Sequence, residues 1–242
     1  MSPSLTRVDF PKNNLDEAWF VFTSILKLNL DTKVMPPTVY SELLASELPD
    51  LIDSNTVALD LGCGTGFLSM VISKCGAKEV FASDINECAV ELARYNFARN
   101  GFSGVKAFQS DMFSAFEGKK FSLIASNPPF LPVAPNRCNN ESPDGRDVID
   151  RLISESGNFL QVGGKLVFTH SSLAGIQKTE SLLEENKFNW RILAKHRLEF
   201  RLCTLENLGF VLNVVEQNNG EYIEENDKYL EYLYIICATL RD

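Results

Sequence analysis

Short apolar runs alternate with amphipathic segments along the chain from residue 56 onward. The runs favour strands, and the segments between them have the length and period of helices. Strands joined through helices form βαβ units, in which the strands are parallel. The pattern therefore predicts an α/β fold, with a mostly parallel sheet of seven strands and helices on both faces. The predicted strands are TVALDL, EVFASD, GVKAF, FSLIAS, KLVFTH, residues 190–198 and EYLYIICATL.

Six segments carry a helical period. Two of them precede the first strand, and Asn14 can cap the earlier one. We predict that residues 1–33 form a short N-terminal helical extension and that residues 34–242 form one domain. The predicted helices span about residues 14–28, 38–48, 66–75, 86–99, 146–160 and 174–186.

Two stretches break the alternation. Residues 131–145, LPVAPNRCNNESPDG, read as a long loop, and loops of this length inside a compact domain are often functional. Residues 200–228 have a mixed period and receive no assignment, so an insertion in the domain is one interpretation of them.

Composition narrows the class of protein. The 242 residues carry 23 Lys and Arg against 32 Asp and Glu, a formal net charge of −9, which disfavours broad contact with nucleic acid. The N-terminal stretch MSPSLTRVDFPKNN has no apolar run of signal-peptide length, and no segment of the sequence reaches the length of a membrane span. The six cysteines include no C-x-x-C pair, so free thiols in a reducing cytoplasm and no metal site are expected.

The stretch ALDLGCGTGFL joins the first predicted strand to a helix and contains Gly62, Gly64 and Gly66. Glycines permit a tight turn and let a ligand approach the backbone, and the helix start offers N–H groups. Asp60 ends the strand, where a carboxylate would repel a pyrophosphate and attract a cation. The turn thus favours a ligand with an ammonium group, such as S-adenosylmethionine, over a dinucleotide or a purely structural role.

Two further aspartates follow predicted strands. Asp84 ends the second strand, where a carboxylate can accept both hydroxyls of a ribose; the alternative is that it caps the helix near Asn86. Asp111 follows the third strand and could accept an adenine amino group, with the backbone of Met112 against the ring. An ordinary turn aspartate is the alternative for Asp111.

The stretch LIASNPPFLP runs a strand into two prolines. Pro128 and Pro129 cannot donate to a strand ladder, so the strand ends there and Asn127 is held in a stiff, extended elbow. The Asn127 side-chain carbonyl and the Pro128 carbonyl can each accept an N–H from a planar nitrogen, and Phe130 can stack on it. A plain turn is the alternative.

These motifs carry a family resemblance. VALDLGCGTGFLS, FASDINECAVELARYN and LIASNPPF together resemble a class I S-adenosylmethionine-dependent methyltransferase with the N-P-P-Y/F motif. From about Val34 to Leu198, including DGRDVIDRLI, the chain is similar to the HemK/PrmC family of protein-glutamine N5-methyltransferases. The resemblance implies a Rossmann-like fold and the cofactor S-adenosyl-L-methionine.

The resemblance also implies a role for individual residues. Asn127, Pro128 and Phe130 would be catalytic and hold the acceptor nitrogen, although that family usually has Tyr where this chain has Phe130. The implied cofactor-binding residues are Asp60, Gly62, Cys63, Gly64, Gly66, Asp84, Ile85, Asp111, Met112 and Asn127.

The methyl acceptor stays open at this level. A glutamine side chain of a protein is the first hypothesis, an exocyclic amine of an RNA base the second, and a small-molecule amine the third. A cofactor-binding partner subunit without catalysis is a further alternative. The basic run KFNWRILAKHRLEFR is either an edge that faces phosphates or the charged, solvated face of an edge strand.

Overall fold

The protein is described by a computed structural model, which covers residues 26–132 and 143–242. The chain forms two compact units, the first ending at Asn127 and the second beginning at Pro128. The predicted helix at 14–28 lies outside the described residues except for its last three, which are not helical. Most of the predicted loop 131–145 also lies outside them.

Where the structure describes it, the first unit contains four strands, all parallel, in the order β3-β2-β1-β4. The two inner strands are almost wholly buried, as expected for parallel strands covered on both faces. The prediction of these four strands is confirmed to within two residues at each end. They are β1 (Val57–Leu61), β2 (Glu79–Asp84), β3 (Lys106–Gln109) and β4 (Phe121–Ser126).

Three α-helices lie in the described part of the first unit, residues 26–127. The Asn86 side chain caps the third by accepting the backbone N–H of Cys88, as Asn does at helix N-termini. All three lie where the sequence predicted them. They are α1 (Val39–Glu47), α2 (Phe67–Lys74) and α3 (Glu87–Arg99).

Aromatic rings fill part of the core of the first unit. Phe81, Phe116 and Phe121 pack against one another in edge-to-face geometry, with ring centroids 5.5 to 6.2 Å apart. Such pairs add to the free energy gained from burying the rings. Phe81 belongs to the second strand and Phe121 to the fourth, so the cluster helps to hold the sheet together.

The second unit contains the remaining strands, and its pairing is antiparallel. The long last strand pairs with β5 on one side and with β6 on the other. A three-residue strand, β7, forms a hairpin with it, and both hairpin-loop residues, Asn226 and Asp227, have positive φ. This strand is additional to the seven predicted. The strands are β5 (Leu160–Ser171), β6 (Phe188–Glu199), β7 (Ile223–Glu225) and β8 (Lys228–Leu240).

The helices of the second unit include two that the sequence left unassigned. These two lie in residues 200–228, ahead of the β7 hairpin. The predicted helix at 146–160 ends early, at Ser156, because β5 already begins at Leu160. The helices are α4 (Asp147–Ser156), α5 (Ile176–Glu185), α6 (Leu202–Leu205) and α7 (Leu208–Gln217).

No helix among residues 26–132 and 143–242 is long and apolar enough to cross a membrane.

Candidate active site

The glycine turn after β1 is braced against the end of β2. The backbone N–H groups of Gly62 and Cys63 both donate to the Ser83 carbonyl at 2.8 Å. The N–H of Gly64 donates to Asp84 Oδ2 at 2.9 Å. The turn is therefore tied to both the main chain and a side chain of the neighbouring strand.

Two glycines of this turn serve different purposes. Gly66 has φ +82°, and a Cβ there would lie 2.4 Å from the Phe97 ring of α3, so only glycine allows this packing. Gly62 has φ +77°, but a Cβ there would meet nothing within 4 Å. The space above Gly62 is open to a ligand that approaches the backbone.

Asp60 lies inside the unit and not on the surface of the turn. Its side chain is 0% exposed, and Oδ2 accepts the hydroxyl of Ser69 on α2 at 2.5 Å. Burial chiefly, with a smaller contribution from the nearby charge of Asp84, raises the pKa of Asp60 to about 7, although hydrogen bonds from Ser69 oppose the shift. The predicted contact between Asp60 and an ammonium group stays a prediction, and the carboxyl group that would make it is buried beneath the turn.

Asp84 and Ile85 stand beside the turn. Both Asp84 oxygens accept backbone N–H groups, from Gly64 and from Asn86, each at 2.9 Å. A carboxylate oxygen can accept a second hydrogen bond, so the predicted ribose contact remains compatible with this bracing. The alternative prediction, that Asp84 caps α3, is wrong because Asn86 is the cap. Ile85 is 54% exposed.

The turn after β3 carries two predicted site residues. Asp111 is exposed, whereas Met112 is buried and has φ +47°, a left-handed conformation that is strained for methionine. Ser110 holds this backbone by donating its hydroxyl to the Met112 carbonyl at 2.9 Å. The strain is consistent with a backbone that is shaped for contact with a ligand.

Cys63, inside the glycine turn, is buried. Burial, together with the charges of Asp60 and Asp84, raises the pKa of its thiol well above the usual range. Cys63 therefore lines the turn as a neutral thiol and is not poised as a nucleophile.

Asn127 follows β4 at the edge of the sheet where β1 ends. Ala125 pairs with Asp60, so Asn127 and Gly62, each two residues further along, leave the sheet at the same edge. The Asn127 Nδ2 donates to the Ser41 hydroxyl on α1 at 3.0 Å. The structure thus brings the predicted acceptor residue to the glycine turn.

The rest of the N-P-P-F elbow belongs to the second unit. Pro128 is buried, and Phe130 is only 3% exposed, so the predicted stacking face of this ring is largely covered. Gly145 has φ +71°, and a Cβ there would lie 2.4 Å from the Phe130 carbonyl oxygen. The backbone of the elbow therefore lies directly against Gly145.

Arg146 anchors the chain next to this contact. Its guanidinium group is buried and donates to the carbonyls of Ala174 and Gly175 at 2.6 and 3.1 Å, and it pairs with Asp150 at 2.6 Å. These bonds hold the start of α4 in place.

Sequence reasoning missed Asn96, a buried clamp behind the glycine turn. Its Nδ2 donates to the carbonyls of Thr65 and Asn29, and its Oδ1 accepts the Asn29 N–H. The sequence patterns also gave no prediction for Ser41 and Glu42 of α1. The available signal was a polar residue at a position where the helical period predicts burial.

Glu42 is a second buried acid in the first unit. It is 2% exposed, and its Oε1 has no hydrogen-bond partner among the described residues. Burial raises the pKa of Glu42 to about 7.

Comparison with solved structures establishes the fold. A methyltransferase from Pyrococcus furiosus superposes with a TM-score of 0.57 at 16% identity, covering 90% of this chain and 96% of its own. A chain of the E. cuniculi Mtq2–Trm112 complex superposes with a TM-score of 0.59 at 20% identity, covering 86% of this chain and 99% of its own. The fold is that of a Rossmann-like class I methyltransferase.

Sequence comparison establishes the family. The methyltransferase small domain signature matches residues 39–202, more than half of the chain, so the protein belongs to this family of methyltransferases. A Methanocaldococcus jannaschii relative named "Putative protein N5-glutamine methyltransferase" is 36% identical over 183 residues, covering 72% of this chain and 91% of the relative. The release factor glutamine methyltransferase of Rhodopirellula baltica is 32% identical over 184 residues, covering 66% and 62%.

Proposed function

We propose that this protein transfers a methyl group from S-adenosylmethionine to the side-chain amide nitrogen of a glutamine residue in a protein. The observation that carries the proposal is the carboxamide of Asn127, held at the edge of the sheet where the glycine turn also lies. The names of the relatives from M. jannaschii and R. baltica support the same acceptor.

The residues around the turn fit this cofactor. Open space over Gly62 admits a ligand to the backbone, Asp84 has acceptor capacity left for a ribose, and exposed Ile85 offers an apolar surface for a base. Asp60, which is buried beneath the turn, would favour a positively charged cofactor in its ionised form. When bound, S-adenosylmethionine supplies a methyl group on a positively charged sulfur.

Asn127 and Pro128 offer hydrogen-bond acceptors that suit the nitrogen of a primary amide. Such a nitrogen is a weak nucleophile because its lone pair is delocalised into the carbonyl group. It carries two N–H donors, and the Asn127 Oδ1 and the Pro128 carbonyl are two acceptors. Accepting both N–H groups orients the nitrogen and stabilises the positive charge that develops on it.

The basic run on β6 was the sequence feature in favour of an RNA acceptor, and its cations support that acceptor only weakly. Arg197 forms an ion pair with Glu225, and the Lys195 ammonium lies 3.6 Å from the centre of the Tyr232 ring. These cations already have partners within the second unit. The run has the character of a solvated edge strand, which charged residues protect from aggregation.

The test is to incubate the purified protein with methyl-tritiated S-adenosylmethionine and a cell lysate. The lysate is then divided into protease-treated, nuclease-treated and small-molecule fractions. We expect label that protease releases and nuclease does not. Acid hydrolysis should then free the label as methylamine, because a methylated amide hydrolyses to glutamate and methylamine.

Other distributions of label would contradict the proposal. Label lost with nuclease would indicate an RNA acceptor, and label in the small-molecule fraction a tailoring enzyme. Cofactor binding by calorimetry without transfer to any fraction would indicate a non-catalytic partner subunit. Label in protein that survives acid hydrolysis would place the methyl group on an amine or a carbon and not on an amide.

A further inference from the structure

Ser41 is hydrogen-bonded to the side chain of Asn127, although the two residues lie far apart in sequence. Its hydroxyl oxygen accepts the Asn127 Nδ2 at 3.0 Å and the Thr38 backbone N–H at 3.4 Å. The residue is 8% exposed and belongs to the first turn of α1. The Ser41 oxygen is therefore a buried, helix-mounted anchor for the carboxamide.

A carboxamide has one end that donates hydrogen bonds and one that accepts them. With Nδ2 directed at Ser41, the Oδ1 of Asn127 is turned to the opposite side. Two accepted N–H groups occupy both lone pairs of the Ser41 oxygen. A reversed amide would give up this bond and would have to accept the Ser41 hydroxyl proton instead, so the bond from Nδ2 is what defines the observed orientation.

We propose that Ser41 is a positioning residue for methyl transfer: it sets the rotation of the Asn127 carboxamide so that Oδ1 accepts the N–H of the methyl acceptor. This inference rests on the proposed function, because it assigns Asn127 the task of holding that nitrogen. Ser41 acts through Asn127 and touches neither substrate nor cofactor. Small errors in the position of a reacting group are costly, since a shift of about 1 Å can reduce a rate about a hundredfold.

The kinetic test replaces Ser41 and compares it with a serine of the same helix. Ser41→Ala should lower kcat by about tenfold to a hundredfold, with the dissociation constant of S-adenosylmethionine unchanged within about twofold. Ser41→Thr keeps the hydroxyl and should recover most of the rate. Ser46→Ala is the matched control, because Ser46 bonds only locally, to the Leu43 carbonyl at 2.7 Å, and should retain the wild-type rate.

A double variant separates positioning from general support of the fold. If Ser41 works through Asn127, adding Ser41→Ala to Asn127→Ala should cause no further loss of kcat. Losses that multiply would overturn the proposal. Should Ser41→Ala fail to fold, Ser41→Cys keeps the size of the side chain but offers a weak acceptor, and it should show the same loss of kcat.

A spectroscopic test stands apart from activity. The side-chain amide resonances of Asn127 in ¹⁵N-labelled protein, assigned by their loss in Asn127→Ala, should shift in Ser41→Ala and stay in place in Ser46→Ala. Unmoved resonances would overturn the proposed orientation even if the protein is active. If the Asn127 resonances shift in Ser41→Ala but the wild-type protein methylates no glutamine, the hydrogen bond between Ser41 and Asn127 is supported and the proposed function is refuted.

Discussion

The chemistry proposed for this site depends at the residue scale on one carboxamide. Asn127→Ala removes an acceptor while leaving the glycine turn and Asp84 in place. We expect cofactor affinity to stay within about twofold. We expect the decrease in kcat to correspond to a loss of about 3 kcal/mol of transition-state stabilisation, as is typical when a preorganised polar contact is removed. Calorimetry and initial-rate measurements on the same preparation check the two parts separately. Wild-type turnover in this variant would exclude the role.

The glycine turn is an element whose two glycines are separable by mutation. Gly66→Ala adds a Cβ that collides with Phe97 in addition to the cost of a left-handed alanine. We expect a loss of about 2–5 kcal/mol in the free energy of unfolding, measured by urea denaturation.

Gly62→Ala is the matched variant, because it has a similar positive φ and open space. It should cost only about 1–2 kcal/mol of stability. Its methyl group should instead occupy the space proposed for the cofactor and lower cofactor affinity by at least about tenfold, a loss of roughly 1.4 kcal/mol. Equal losses of stability in the two variants would contradict the assigned roles.

The N-P-P-F elbow is the second element that a single methyl group can test. Gly145→Ala places a Cβ against the Phe130 carbonyl and should displace the elbow, because a backbone atom cannot yield as a flexible side chain does. We expect kcat to fall by about tenfold or more with cofactor affinity retained.

Gly163→Ala provides the control in the same unit. Gly163 has φ +76°, close to that of Gly145, but a Cβ there meets nothing within 4 Å. It should share the strain of a left-handed alanine and keep wild-type kcat. Equal kcat in the Gly145 and Gly163 variants would show that contact with the elbow is unimportant.

At the scale of the whole molecule, buried acids determine how stability depends on pH. The pKa of Asp60 is raised from 3.8 to about 7 and that of Glu42 from 4.5 to about 7, in both cases chiefly by burial. The folded protein therefore retains protons that the unfolded chain releases. The stability from these groups is fully present below their unfolded pKa values and is lost as pH rises through about 7.

His170 opposes this trend over part of the range. It is buried beside Thr179, and burial together with the charge of Arg146 lowers its pKa from 6.5 to about 3. The unfolded chain binds the proton first, so this contribution is present above pH 6.5 and is lost as pH falls towards 3.

A comparison of Asp60→Asn with the wild type measures how much Asp60 alone contributes to the pH dependence of stability. Asparagine resembles the protonated carboxyl group in shape, so the variant should gain stability relative to the wild type as pH rises from 5 to 8. Urea denaturation at both pH values measures the gain, and Glu42→Gln should behave similarly. A difference that is independent of pH would show that Asp60 is ionised throughout.

Local periodicity was sufficient for most of the fold. The strands ending at Asp84 and Ser126 and the helix capped by Asn86 lie where the sequence predicted them, because buried apolar runs and caps act over a few residues. The short strand Ile223–Glu225 was not predicted, because three residues are too few to show a period and because the strand forms by pairing with β8.

The residue types of the site, Gly62, Asp84 and Asn127 among them, were determined by the sequence itself, because the chemistry of each motif is contained in adjacent residues. Only the tertiary structure decided their geometry: that Asp60 is sealed inside, that Asn96 clamps the turn, and that Ser41 meets Asn127 across 86 positions of chain. The physical reason is that burial and hydrogen bonds between distant residues arise from packing, and no local pattern encodes which partners packing will bring together.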